Sequence, residues 1–201
     1  RDRRRILSAM NLQQQPMLIK SLLHDYEVTF DENVTKLPER LSQYKNVVIV
    51  VDDRVRELYR NQIGVISAQY PTYSVAAYET TKTLDGVKDL LDWLLELKCN
   101  RSTTIVAIGG GIIQDLVTFT SNIFYRGSSF VLVPTTLLSM ADSCIGAKCG
   151  INYANYKNQL GVMHSPRGVH IVSEFLDTLS DIDVKSGYGE ILKLSITGGT
   201  K

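Results

Sequence analysis

Short β-rich apolar runs alternate along the chain with longer stretches of three- and four-residue periodicity, the pattern of an α/β domain built from βαβ units. Tyr26 to Phe30 alternates apolar and polar positions and reads as an edge strand, whereas Val47 to Val51 is apolar throughout, as in a strand covered on both faces. Asp52 and Asp53 end that run where a strand gives way to a loop. Leu84, Val87, Leu90, Leu91, Leu94 and Leu97 place an apolar stripe on a helix of about four turns, flanked by Trp93 and Lys98. Thr103 to Ile108 then runs directly into Gly109, Gly110 and Gly111, after which residues 112–124 continue with helical period. Phe130 to Val133 is another short buried strand, closed by Pro134, and Val169 to Val172 is the last. From Glu174 the pattern is helical, interrupted by Gly187 and Gly189, so a domain change is expected near residue 173.

Composition narrows the class. With 201 residues, 44% hydrophobic and 21% charged, the chain can bury a real core, which excludes disordered, collagen-like and disulfide-scaffold classes. Lys and Arg (22) nearly balance Asp and Glu (21), so no global field points to nucleic acid or membrane as a partner. The basic cluster from Arg1 to Arg5 reads as a solvated tail or as a contact for nucleic acid or acidic lipid. Cys99, Cys144 and Cys149 form no CxxC pair and are expected as free thiols in a reducing compartment. The sequence has no apolar run of about 18 residues and no secretory signal, which reads as cytoplasmic.

Candidate chemistry concentrates in two places. A strand followed by three glycines and a helix can present unpaired N–H groups to a dinucleotide pyrophosphate, or be no more than a tight turn, since it is not the G-x-G-x-x-G fingerprint. Asp115, one turn into that helix, suits either a ligand hydroxyl or the helix dipole. Pro134 to Gly161 carries Thr135 and Thr136, which could be helix caps, and Asp142, Lys148, Lys157 and Asn158. Two ammonium groups, a carboxylate and an amide suit an anionic polyhydroxylated substrate; the competing reading is a solvated polar loop. Arg126 could clamp an oxyanion or complete its helix.

The ordered series VAIGGGIIQD, FYRG, VPTTLLSMADSCIGAK, GIN, KNQLG, DTL and GYGEILK resembles the 3-dehydroquinate synthases and the wider sugar phosphate cyclase group over residues 18 to 196. The resemblance implies a tail over residues 1–17, a Rossmann-like NAD-binding domain over 18–173, and the start of an incomplete α-helical metal-binding domain over 174–201. It implies cofactor contacts at Asp52, Arg54, Glu79, Lys82, Gly110, Gly111, Ile112, Asp115, Thr135, Thr136, Lys157, Thr178 and Leu179. On the substrate side it implies Arg126, Asp142, Lys148, Asn158 and Lys193, with Glu190 as a metal ligand. The implied reaction turns 3-deoxy-D-arabino-heptulosonate 7-phosphate into 3-dehydroquinate and phosphate in the shikimate route. NAD is a catalytic cofactor there, a divalent metal (zinc, or cobalt) polarises a reacting oxygen, and the enzyme is a homodimer with Arg126 near a subunit boundary.

Some residues depart from that pattern. The family's metal also takes two histidines from the helical domain, whereas His24, His164 and His170 all precede Glu190. His164 and His170 read as structural. The chain is therefore expected to be a fragment of a longer enzyme, or to lack omitted segments, and to bind nucleotide without completing the reaction. Ala147 replaces a family glycine, which is expected to displace Lys148 slightly. Proximity to Lys148 also raises the hypothesis of a reactive thiolate at Cys144 or Cys149. Other sugar phosphate cyclases, of the valiolone or deoxy-inosose type, share the glycine, PTT and KN elements, and polyol dehydrogenases of the glycerol dehydrogenase type are more distant relatives.

Overall fold

A computed structural model describes residues 15–21 and 23–198. In chain order the strands are β1 (Met17–Ile19), β2 (Tyr26–Asp31), β3 (Val47–Asp52), β4 (Thr72–Val75), β5 (Thr104–Gly109), β6 (Ser129–Pro134), β7 (Lys148–Tyr153), β8 (Tyr156–Met163) and β9 (Gly168–Val172). The α-helices are α1 (Leu37–Leu41), α2 (Asp53–Leu58), α3 (Arg60–Ser67), α4 (Leu84–Glu96), α5 (Gly111–Ile123) and α6 (Asp181–Thr197). Seven strands form one sheet in the order β1-β2-β9-β6-β5-β3-β4, parallel except for β1, and β7 and β8 form a separate antiparallel hairpin.

Strand alternation divides the core in two. Val48, Val50, Ile105, Ala107 and Leu132 face one layer, where Val87, Leu90 and Leu94 of α4 and Ile113, Leu116 and Val117 of α5 cover them. Val47, Ile49, Val51, Val106, Ile108, Val131 and Val133 face the other, against Leu37, Leu41, Val55, Ile63 and Ile66 from the first three helices. Each fully buried side chain of this size contributes about 1.5–3 kcal/mol, which explains why β3, β5 and β6 read as unbroken apolar runs. Helices on both faces of a mostly parallel sheet make the α/β architecture expected from the pattern, and the Rossmann-like fold that the resemblance implies.

Four local expectations need correction. Tyr26–Asp31 is not an edge strand: β1 pairs with it on one side and β9 on the other, so Tyr26 and Val28 are buried. Met17 belongs to that edge strand rather than to a tail, while the Arg1 to Arg5 cluster lies outside the described residues. Pro134 is the last paired residue of β6, opposite Gly109, and does not stand beyond the strand. Residues 148–163 are no solvated loop but the β7–β8 hairpin, packed on α5.

The chain steps from β3 outward to β4 and returns to β5 on the other side of β3, so the topology reverses between β3 and β5. In sheets of this kind the crevice beyond the strand C-termini at such a reversal receives ligands. After β9 a 3-10 segment, Ser173–Thr178, leads to α6, which comes close over the β6 end. Gly187 permits that approach, because a Cβ there would lie 2.6 Å from Leu137 Cβ. Among the described residues no helix is long and apolar enough to cross a membrane.

Candidate functional site

The turn from β5 to α5 is shaped by contact. A Cβ on Gly109 would sit 2.5 Å from Ile113 Cγ1, so only glycine lets the strand enter the helix this tightly. Gly110 is the N-cap, no side chain caps the helix, and its first turn carries no acidic residue. The first N–H groups of a 13-residue helix are thus left to an external anion.

Two hollows meet at this turn. The larger, about 710 Å³, is lined by Glu79, Lys82, Gly111, Ile112, Asp115, Thr136, Asp142, Lys148 and Asn158, with Asp183 and Ser186 of α6. The smaller, about 120 Å³, is lined by Asp52, Arg54, Thr135, Thr136, Thr178 and Leu179. Thr136 and Asp183 border both, so the two form a continuous path across the ends of β3, β5 and β6. Side chains expected from sequence to touch a cofactor therefore fall along one groove. Gly110 lies at the turn between them, and Lys157 at the cleft margin, 3.9 Å from Glu79 Oε1.

Lys82 is the hub of the larger cleft. Its buried ammonium donates to Asp115 Oδ2 at 3.0 Å and to Asn158 Oδ1 at 2.7 Å, and lies 3.8 Å from Glu79 Oε1. Asp115 also accepts the Gly150 N–H at 3.3 Å. Burial raises the Asp115 carboxyl above the usual carboxylate range, with Lys82 pulling the other way. The Glu79 carboxyl is lowered, mainly by the hydrogen bond it accepts from Asn152 and next by Lys82 and Lys157.

In the smaller hollow, Asp52 caps α2 by accepting the Arg54 N–H at 2.9 Å, and burial raises its carboxyl. Thr136 and Ser139 cap each other: Thr136 N donates to Ser139 Oγ at 3.1 Å and Ser139 N to Thr136 Oγ1 at 3.2 Å. The cap expected of the threonine pair is thus present, with Thr136 still bordering the groove. Thr178 is held by Tyr59, whose hydroxyl lies 3.2 Å from its Oγ1 and donates to Glu174 O at 2.6 Å.

Arg126 is not in the cleft. It lines a separate hollow of about 280 Å³ at the opposite, N-terminal end of the strands, with His24, Arg101, His164 and Arg167. The 13-residue helix α5 separates Arg126 from the glycine turn by about 20 Å, and Tyr125 and Arg126, both with positive φ (51° and 60°), lead through Gly127 at 118° into β6. Glu190 and Lys193 form an ion pair one turn apart on α6, outside the residues lining the cleft. The histidines behave as structural groups. His170 is buried, its Nδ1 2.7 Å from Thr29 Oγ1 and Nε2 3.0 Å from Tyr44 Oη, and His164 stacks on Phe130.

Among the described residues no three His, Cys, Asp or Glu side chains converge on a metal position. Glu190 Oε1 is buried and ion-paired with the Lys193 ammonium, so among the described residues it is a single donor already occupied by a cation. The reactive-thiolate hypothesis is overturned. Burial pushes the Cys144 thiol up to about 12 and that of Cys149 up to about 11, because a thiolate there would lose hydration; at Cys149 the Lys82 ammonium pulls the other way but is outweighed. Ser143, Asp183 and Ser186 also line the cleft and Asn152 supports it through Glu79 and Asn158, none of which the sequence motifs singled out. Asn152 stands inside GIN, where a polar residue in a buried strand position was the available signal.

A family description, 3-dehydroquinate synthase N-terminal, matches residues 72–186. A curated 3-dehydroquinate synthase from Clostridium tetani (strain Massachusetts / E88) is 34% identical over 178 residues, covering 85% of this chain and 48% of the relative. A crystal structure of 2-deoxy-scyllo-inosose synthase complexed with carbaglucose-6-phosphate, NAD+ and Co2+ superposes with TM-score 0.79 at 25% identity, over 89% of this chain and 51% of that one. A structure of 2-epi-5-epi-valiolone synthase from Streptomyces hygroscopicus subsp. jinggangensis 5008 with NAD+ and Zn2+ bound gives TM-score 0.79 at 29% identity, over 90% and 51%. The chain spans about half the length of the curated relatives it matches.

Proposed function

The chain belongs to the 3-dehydroquinate synthase family, and from that premise we propose that the protein containing it converts 3-deoxy-D-arabino-heptulosonate 7-phosphate into 3-dehydroquinate and phosphate. The observation that carries the reading is the continuous groove from Asp52 past the glycine turn to Asp115, opening on Asp142, Lys148 and Asn158. In this reading a dinucleotide runs along the first part and over the glycine turn, and a phosphorylated sugar acid occupies the second.

NAD, when bound, supplies a hydride acceptor that returns the hydride within one turnover. The chain's residues do the holding. The α5 N-terminus with Gly110, Gly111 and Ile112 receives the pyrophosphate, and Asp52 and Asp115 receive ribose hydroxyls. Arg54, Thr135, Thr136, Lys157, Thr178 and Leu179 border the cofactor, while Glu79 and Lys82 act through the network that fixes Asp115. Lys148 neutralises phosphate charge as it leaves, and Asp142 and Asn158 orient substrate hydroxyls. The metal requires ligands outside the described residues, with Glu190 as one donor once Lys193 turns to substrate; zinc is favoured and cobalt is the alternative.

Residues 18–173 form the nucleotide-binding domain in this reading, and 174–201 begin a helical metal-binding domain. The protein acts as a cytoplasmic homodimer in aromatic amino acid biosynthesis. Arg126 lies at the far end of the sheet, and in this reading it serves the substrate of a second copy. The second reading is another sugar phosphate cyclase, favoured by the likeness to inosose and valiolone synthases. Incubating the protein containing this chain with heptulosonate 7-phosphate, sedoheptulose 7-phosphate and glucose 6-phosphate separates the two. Dehydroquinate from the first supports the proposal, and a carbocycle from either of the others with no dehydroquinate contradicts it.

A further inference from the structure

Asn152 is buried on β7, and every polar group of its side chain is used. Nδ2 donates to Glu79 O at 3.1 Å and to Glu79 Oε1 at 2.9 Å, while Oδ1 accepts the N–H of Asn158 at 3.0 Å. Its backbone N–H donates to Lys82 O at 2.8 Å, beside a parallel bridge between Thr83 and Asn152. The amide orientation is forced, because a carbonyl and a carboxylate both demand a donor and an N–H demands an acceptor. One side chain thus joins the segment carrying Glu79 and Lys82 to the hairpin carrying Lys148, Lys157 and Asn158.

The junction matters because Asn158 has φ of 54°, a left-handed conformation that costs an L-residue energy unless its surroundings hold it. From there Asn158 Oδ1 meets the Lys82 ammonium at 2.7 Å, which fixes the lysine against Asp115. We propose that Asn152 is a positioning residue that couples the dinucleotide side of the cleft to the substrate side, by locking the Asn158 turn to Glu79 and Lys82. The proposal deepens the functional reading above and rests on it only where NAD binding is the readout.

The test reverses one hydrogen bond. Asn152→Asp keeps the acceptor for Asn158 N–H but sets a second carboxylate against the Glu79 carbonyl and carboxylate; adding Glu79→Gln restores the side-chain hydrogen bond alone, with its polarity exchanged. In the protein containing this chain, we expect Asn152→Asp at neutral pH to speed amide hydrogen exchange at Asn158 and to weaken NAD binding, each by about tenfold. Acidification lets the two carboxyls share a proton and narrows both losses. Asn152→Asp/Glu79→Gln recovers the hydrogen exchange at Asn158 to within about threefold of the parent, the readout that does not depend on Glu79 itself. Parental exchange in Asn152→Asp, or a double variant no better than the single one, overturns the proposal. If Asn152→Asp fails to fold, Glu79→Ala removes the same acceptor from outside the hairpin, and unchanged exchange at Asn158 in it overturns the proposal equally. A parent that binds no NAD contradicts the functional reading, while hairpin exchange still decides the role of Asn152.

Discussion

Lys82 Nζ stands 3.0 Å from Asp115 Oδ2, in an ion pair whose lysine side chain keeps 8% of its surface exposed and whose aspartate keeps 19%. A buried carboxylate deprived of its cation is costly. Lys82→Met is therefore expected to lower unfolding stability by about 3 kcal/mol, and Asp115→Asn in the same chain to recover most of it. Urea denaturation of the single and double variants measures this; a single variant within about 0.5 kcal/mol of the parent contradicts the pairing.

Ala147 has φ of 50°, a conformation suited to glycine, at the entry to β7. The family glycine that it replaces thus has a conformational reason. Ala147→Gly removes about 1–2 kcal/mol of left-handed strain and adds part of that back as unfolded-chain entropy, for a net gain of about 0.5–1 kcal/mol. A lower denaturation midpoint in Ala147→Gly is the opposite result.

His170 is held neutral between two hydroxyls, and burial lowers its pKa from the ordinary 6.5 to about 4. The unfolded chain takes up a proton below pH 6.5 and the folded chain does not, so stability present above 6.5 is lost as pH falls toward 4. The contribution is about 3 kcal/mol at most. His170→Gln flattens the stability profile across that window; an unchanged slope contradicts the assignment.

Burial pushes the Cys144 thiol up to about 12 and the Cys149 thiol up to about 11. At neutral pH both are expected to alkylate much more slowly than a free cysteine in the native protein and at the free rate in denaturant. Native-state labelling of either at the free rate contradicts the burial.

Much of the fold was legible because buried parallel strands declare themselves. Val47–Val51 and Phe130–Val133 are apolar at every position, and the α4 stripe places Val87, Leu90 and Leu94 on one covered face. The hairpin was not legible. Tyr156–Met163 is exposed along most of both faces, so it shows neither alternation nor an apolar run, and its polar residues imitate a loop. The edge status of Tyr26–Asp31 failed for a related reason: three-residue β1 is too short and exposed to announce that it covers that edge. The glycine turn with Asp115 could be placed, and the βαβ pattern alone puts Arg126, at the end of the 13-residue helix and before β6, at the opposite end of the strands.

The most direct test of the account is to follow phosphate release and NADH absorbance together. The protein containing this chain is supplied with NAD, zinc and 3-deoxy-D-arabino-heptulosonate 7-phosphate. Dehydroquinate and phosphate formed in equal amounts, many times over the NAD present and without net NADH, is the result the account predicts. NADH accumulating in step with substrate consumed, without phosphate, would show a simple dehydrogenase and contradict it.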